Sequence, residues 1–165
     1  MLSSTSTITD IKSKLENTHD FYGFATDVAF TASLTSVIDD VYLRYFLTKI
    51  GATEYTRIAT KDKVALTQQE TYLYWAEVYM TCCLFLKRRA AVQGQLQNSG
   101  QETLRVEGYQ HSVGGGGGIS QGSKAVQFYF DQAFSMFKHA GINVLALERT
   151  CTIFGDGINV TNVIS

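Results

Sequence analysis

The residues most suggestive of chemistry are glycines. Gly114, Gly115, Gly116, Gly117 and Gly118 run consecutively and lead through Ile119-Ser120-Gln121-Gly122 to Ser123-Lys124-Ala125. Strand, glycine-rich loop and helix in that order is the setting in which backbone amides cradle a phosphate. Gly117 and Gly122 have the separation of a phosphate-loop pair, but the lysine arrives one place late and no Ser or Thr follows it to hold magnesium. Consecutive glycines also lose the most backbone entropy when fixed, which makes them a costly cradle. The run therefore reads as a flexible linker or a tight loop at an interface. A nucleotide-dependent assembly factor is the alternative, and in that case ATP binding would be lost on Gly122→Val.

Other reactive side chains are scattered. His19, His111 and His139 stand at no ligand spacing to one another or to a cysteine, so no metal site and no cofactor is expected. His139 falls in the last turn of an expected helix, where a cation suits the macrodipole. Cys82 and Cys83 are adjacent inside an apolar run, where thiols are usually inert, and Cys151 stands alone; this is no disulfide framework and fits a reducing compartment. Glu107, before Gly108 on an expected strand, is the carboxylate to watch and otherwise a surface charge. No nucleophile has a recognisable local setting, so no catalytic residue is assigned and the chain is not read as an enzyme.

The element that must position everything else is Thr67 to Val92. Thr67-Gln68-Gln69-Glu70 fits a capping box, with the Thr hydroxyl accepting the amide three residues on and the Glu carboxylate reaching back. From Tyr72 to Leu86 the only charge is Glu77, so apolar residues cover nearly the whole circumference and the helix must be buried on most sides. The uncharged stretch is shorter than the ~20 residues a bilayer requires, so no membrane span is expected. A chain of 165 residues has few other elements to cover so wide a surface, which assigns part of the cover to neighbouring subunits. Lys87-Arg88-Arg89 supplies cations toward the negative end of the dipole, with Gly94 as the stop.

At this length, with 45% hydrophobic and 18% charged residues, one folded domain is expected over residues 1–150, followed by an arm over 151–165. A net charge of -1 argues against binding that works by neutralising phosphates. Met1 to Thr9 has neither the basic start nor the apolar core of an export signal. Ile8, Ile11 and Leu15 predict a short first helix capped by Thr7 or Thr9, and aromatic residues should pin the loop from Asn17 to Thr26. A second helix is predicted from about Ala32 to Ile50, with Leu34, Val37, Ile38, Val41, Tyr45 and Leu47 or Thr48 inward, Asp39, Asp40 and Arg44 outward, and Gly51 as terminator. Gly51 to Leu66 reads as a polar connection anchored by Tyr55, Ile58 and Val64. Thr103 to His111 alternates like a strand, and a helix from Lys124 to Ala140 with Ser123 as N-cap is closed by Gly141. The fold class is mainly α: a bundle of three to four helices with a short strand or hairpin and an extended C-terminal arm.

The arrangement resembles the head-to-tail connector, or adaptor, proteins of tailed bacteriophages. The matching parts are a short first helix, an amphipathic helix, a long aromatic-rich helix (Tyr72 to Lys87), a strand with Val106-Glu107-Gly108-Tyr109, a Gly/Ser loop, and a last helix with Phe128-Tyr129-Phe130-Asp131-Gln132-Ala133-Phe134. The order spans about Ile8 to Phe154, and residue-level similarity about Leu104 to Gly141. The glycine run is longer than the loops of that family. The resemblance implies a virion protein at the head-tail vertex, made in the host cytoplasm. Copies would form a ring, a dodecamer, under the portal, extend the DNA channel without sequence-specific contact, and dock a neck or tail protein. It implies that the arm Cys151-Thr152-Ile153-Phe154-Gly155-Asp156-Gly157-Ile158-Asn159-Val160 embraces the portal. It also implies that loops bearing Tyr55, Arg57, Lys61 and Lys63, and Tyr109 with Gly114 to Gly118, face adjoining subunits or the tail. A generic helical interaction module outside any virus is the blander alternative.

Overall fold

The computed structural model describes residues 4–16, 18–94, 102–106, 109–113 and 118–142. The protein is mainly α. Five α-helices stand among these residues: α1 (Ser4–Leu15), α2 (Asp27–Val41), α3 (Ala52–Ala59), α4 (Gln68–Gly94) and α5 (Gly118–His139). Two short segments, β1 (Glu102–Val106) and β2 (Tyr109–Val113), pair antiparallel, with Val106 opposite Tyr109. The arm from residue 143 onward, with Cys151 to Val160, lies outside the described residues, as do Glu107 and Gly114 to Gly117.

α4 is the axis, and its first turn forms as the Thr67–Glu70 spacing predicts. Glu70 N donates to Thr67 Oγ1 at 3.3 Å, and Thr67 N donates to Glu70 Oε2 at 2.8 Å. Leu73, Tyr74, Ala76, Val78, Met80 and Cys82 to Leu86 are all buried, while Trp75 and Tyr79 are half-buried. The cover comes from the same chain. α5 packs along α4 most extensively, and α2 and α1 lie against it as well. From Met80 to Leu86 one chain encloses α4 to 7% exposure or less.

The basic cluster also differs from expectation. Arg88 and Arg89 lie before the last turn of α4, which holds no basic residue. They act as cross-links instead: Arg88 donates to Asp40 on α2, and Arg89 donates to the Tyr22 carbonyl.

α1 begins at Ser4, ahead of Thr7 and Thr9, so neither residue caps it, and Thr7 is buried within the helix. Ile11 and Leu15 point into the core as their spacing predicts. The loop that follows is pinned by aromatic rings. Tyr22 stacks on Phe30 at 5.5 Å, meets Phe85 edge-on at 5.1 Å, and donates its hydroxyl to Leu15 O at 3.1 Å.

α2 starts five residues earlier than the pattern indicates, because Thr26 is extended (φ -146°, ψ 154°) and its Oγ1 accepts Ala29 N at 3.2 Å. Leu34, Val37, Ile38, Val41 and Tyr45 are buried as expected. The helix does not run regularly to Ile50. Tyr42–Phe46 form a π-type turn, marked by Leu47 N donating to Tyr42 O at 2.8 Å. The extra residue rotates the face, so Tyr45 and Phe46 are both buried while Leu47 is exposed.

The stretch read as a polar connection contains a helix, α3. It starts after Gly51 (φ 78°) without a side-chain cap, followed by a 3-10 turn at Lys63–Ala65. Tyr55 and Ile58 are its buried anchors; Val64, expected as a third, is 97% exposed.

α5 begins at Gly118 rather than Lys124, so Ser123 lies inside it and is not its N-cap. Its end matches the expectation for Gly141. Gly141 (φ 77°) donates to Lys138 O and Ile142 N donates to Phe137 O, each at 2.9 Å, which is a Schellman closure. Gln69 Nε2 on α4 adds a bond to Ala140 O at 2.8 Å.

Candidate functional site

The site with the densest charge chemistry lies where α3 folds over the start of α4. The capping box fixes Glu70 in the first turn of α4, and its carboxylate then gathers two cations from the segment before it. Lys61 Nζ donates to Glu70 Oε1 at 2.6 Å and Oε2 at 2.9 Å, and Arg57 Nη2 donates to Oε1 at 2.7 Å. On its outer side Arg57 makes a two-pronged pair with Glu54 at 2.5 and 2.8 Å. The Lys61 bond, the Thr67 amide and the Arg57 bond hold the Glu70 carboxyl down at about 2, against burial that pushes the other way. Glu54 is lowered chiefly by Arg57, and Arg57 is raised by Glu54 first and Glu70 second.

Two helical turns further along α4, Glu77 is fully buried and accepts the Tyr55 hydroxyl. The Tyr55 ring packs on Tyr42 at 4.4 Å and on Phe46 at 5.7 Å. A buried carboxylate needs such a donor, because leaving it without one costs far more than the bond contributes in water. Thr81, also buried, turns its hydroxyl back to Glu77 O at 2.8 Å.

A second cluster ties α1 to α4. Asp10 accepts from Lys63 Nζ at 2.5 Å and from the Tyr74 hydroxyl. Lys63 also lies 4.9 Å from the Trp75 ring centre, and Lys14 lies 5.4 Å from it on α1. From α5, Tyr129 donates its hydroxyl to Lys14 O at 2.5 Å.

The structure thus changes what the loop residues are. Tyr55 sits 3% exposed in the core. Arg57, Lys61 and Lys63 stand at the surface but are engaged with carboxylates of their own chain. Tyr109 opens β2 and Gly118 opens α5. Gly114, Gly115, Gly116 and Gly117, like the whole Cys151 to Val160 arm, fall outside the described residues. The sequence reading missed Asp10 and Glu70 as ion-pair centres. The capping box marked Glu70 as a cap, but its cations lie 9 and 13 residues away and no local pattern joins them.

Chemically, this arrangement clamps. Cys82 and Cys83 are buried. Among the described residues no group of three or more His, Cys, Asp or Glu is placed to hold a metal ion. No described helix is long and apolar enough to cross a membrane. No protein-family model, curated protein or solved structure matches this chain.

Proposed function

We propose that this chain is a structural virion protein of a tailed bacteriophage, a head-to-tail connector or adaptor. Copies assemble as a dodecameric ring under the portal, extend the DNA channel and give the neck or tail its docking surface. The observation that carries this reading is the helix order. A short α1, an amphipathic α2, a long aromatic α4 and an α5 bearing Phe128-Tyr129-Phe130 stand in that order, with α3 between α2 and α4, and that order supports the resemblance. In this reading the hairpin, the glycine run and the segment from Cys151 to Val160 are the parts that meet other molecules. The subunit brings its own closed core, and ring contacts are made by surfaces added to it.

A helical interaction module outside any virion is the second reading. It is favoured by the closure of the apolar core within a single chain. Immunogold labelling of particles from a culture producing the protein separates the two. Label at one vertex, between head and tail, is the expected result. Absence of the protein from purified particles sinks the connector reading and leaves the interaction module.

A further inference from the structure

Among the described helices, α3 is one whose backbone makes no extensive approach to another element. Its attachments are side chains, and they fall into two groups. On the inner face Tyr55 reaches Glu77 and rests on Tyr42 and Phe46, with Ile58 buried beside it. At the outer end Arg57 and Lys61 converge on Glu70, and Glu54 braces Arg57 from the other side.

The chain enters α3 through Gly51, whose φ is 78° and whose missing Cβ would meet nothing within 4 Å. An eight-residue helix has too few internal hydrogen bonds to persist once detached, so its attachments are lost together or not at all.

From these contacts we propose that α3 is a strap that opens as one unit about Gly51, is latched by Glu70, and uncovers the seat of Tyr55 on Tyr42, Phe46 and Glu77. Opening would present an aromatic surface with a carboxylate at its base, both covered in the closed state. The latch is ionic: its cations Arg57 and Lys61 are 48% and 29% exposed, so dissolved salt reaches them from the outer side, while the Glu70 carboxylate at 6% is screened less. The groups facing Glu70 are Arg57, Lys61, Glu54 and the Thr67 amide, and together they hold its carboxyl at about 2, so acid weakens the latch only as pH falls below 4.5 toward that value.

Native-state hydrogen exchange on the full chain, at rising sub-denaturing urea and at low and high salt, tests the strap. The amides of Tyr55, Thr60 and Lys61, bonded to Gly51 O, Thr56 O and Ile58 O, should share one opening. That opening should depend on urea, but less steeply than the opening of α4 and α5. Glu70→Gln removes the charge while keeping a side chain able to cap Thr67. It should raise exchange at those amides roughly tenfold or more and leave α2 and α5 unchanged; Glu54→Gln should act in the same direction and less. Three results overturn the proposal: α3 exchanging only through global unfolding, α3 amides each opening separately without urea dependence, or Glu70→Gln raising exchange equally in every helix. If Glu70→Gln does not fold, the wild-type salt series decides, and α3 exchange that high salt leaves unchanged overturns the strap.

Discussion

Gly23→Ala measures how firmly the loop ahead of α2 is fastened to α4 through Arg89. Gly23 has a φ of 72°, a conformation that costs a residue with a Cβ roughly 1–2 kcal/mol. The added Cβ would lie 2.9 Å from Arg89 Nη2, and the guanidinium, as the mobile partner, gives way. It then leaves the Tyr22 carbonyl and the face of Phe24, whose centre is 4.5 Å from Arg89 Cζ. Losing a hydrogen bond from a charged donor costs about 1.5–3 kcal/mol, and a half-exposed cation–ring contact about 0.5–1 kcal/mol. Solvent access to the displaced arginine recovers part of this, so a loss of roughly 3 kcal/mol is expected. Gly51→Ala is the matched control: its φ is 78° with no atom within 4 Å of the new Cβ, so backbone strain acts alone. In an Arg89→Ala background, Gly23→Ala should fall to the same strain-only cost. Urea unfolding followed by the fluorescence of Trp75, the single tryptophan, reads all four variants. Equal losses for Gly23→Ala and Gly51→Ala in the wild-type background, or an undiminished Gly23→Ala loss without Arg89, refute the fastening.

Glu70 gives a pH signature with a defined sign. Its folded-state value of about 2 lies below the ordinary 4.5, so its stabilisation is complete above pH 4.5 and fades as pH falls toward 2. The difference in urea midpoint between wild type and Glu70→Gln should therefore shrink over that window; a difference that stays constant would count against the ion cluster. Ile58→Ala, at 1% exposure, should destabilise by roughly 2–5 kcal/mol, whereas Val64→Ala, at 97% exposure, should stay within about 0.5 kcal/mol. Thermal unfolding distinguishes them, and similar shifts for both would contradict the placement of α3. Tyr129→Phe removes the hydroxyl that reaches Lys14 O and should cost about 1 kcal/mol in urea unfolding; no loss would mean that this link between α1 and α5 is dispensable.

Short-range signals were the legible ones. The Thr67–Glu70 box and the Gly141 closure each depend on residues within five positions, and both form in the structure. The buried faces of α1 and α2 followed from apolar spacing. The π-type turn was not legible, because one extra residue in a helix changes no residue type and shows only when Tyr45 and Phe46 face inward together. α3 was hidden because it has two buried anchors and a glycine start with no capping side chain. The ion clusters were out of reach for a different reason: Asp10 meets Tyr74 across 64 residues and Arg88 meets Asp40 across 48. The apolar circumference of α4 was read correctly, but composition could not say whose side chains cover it.

Because one chain buries α4 from Met80 to Leu86, folding and association are expected to act as separate equilibria. A subunit whose core is completed only by a neighbour has a melting temperature that climbs with protein concentration, since mass action feeds assembly into stability. Here dilution should leave the core intact. The melting temperature should be flat across dilution until higher-order contacts form, and any rise would report those contacts alone.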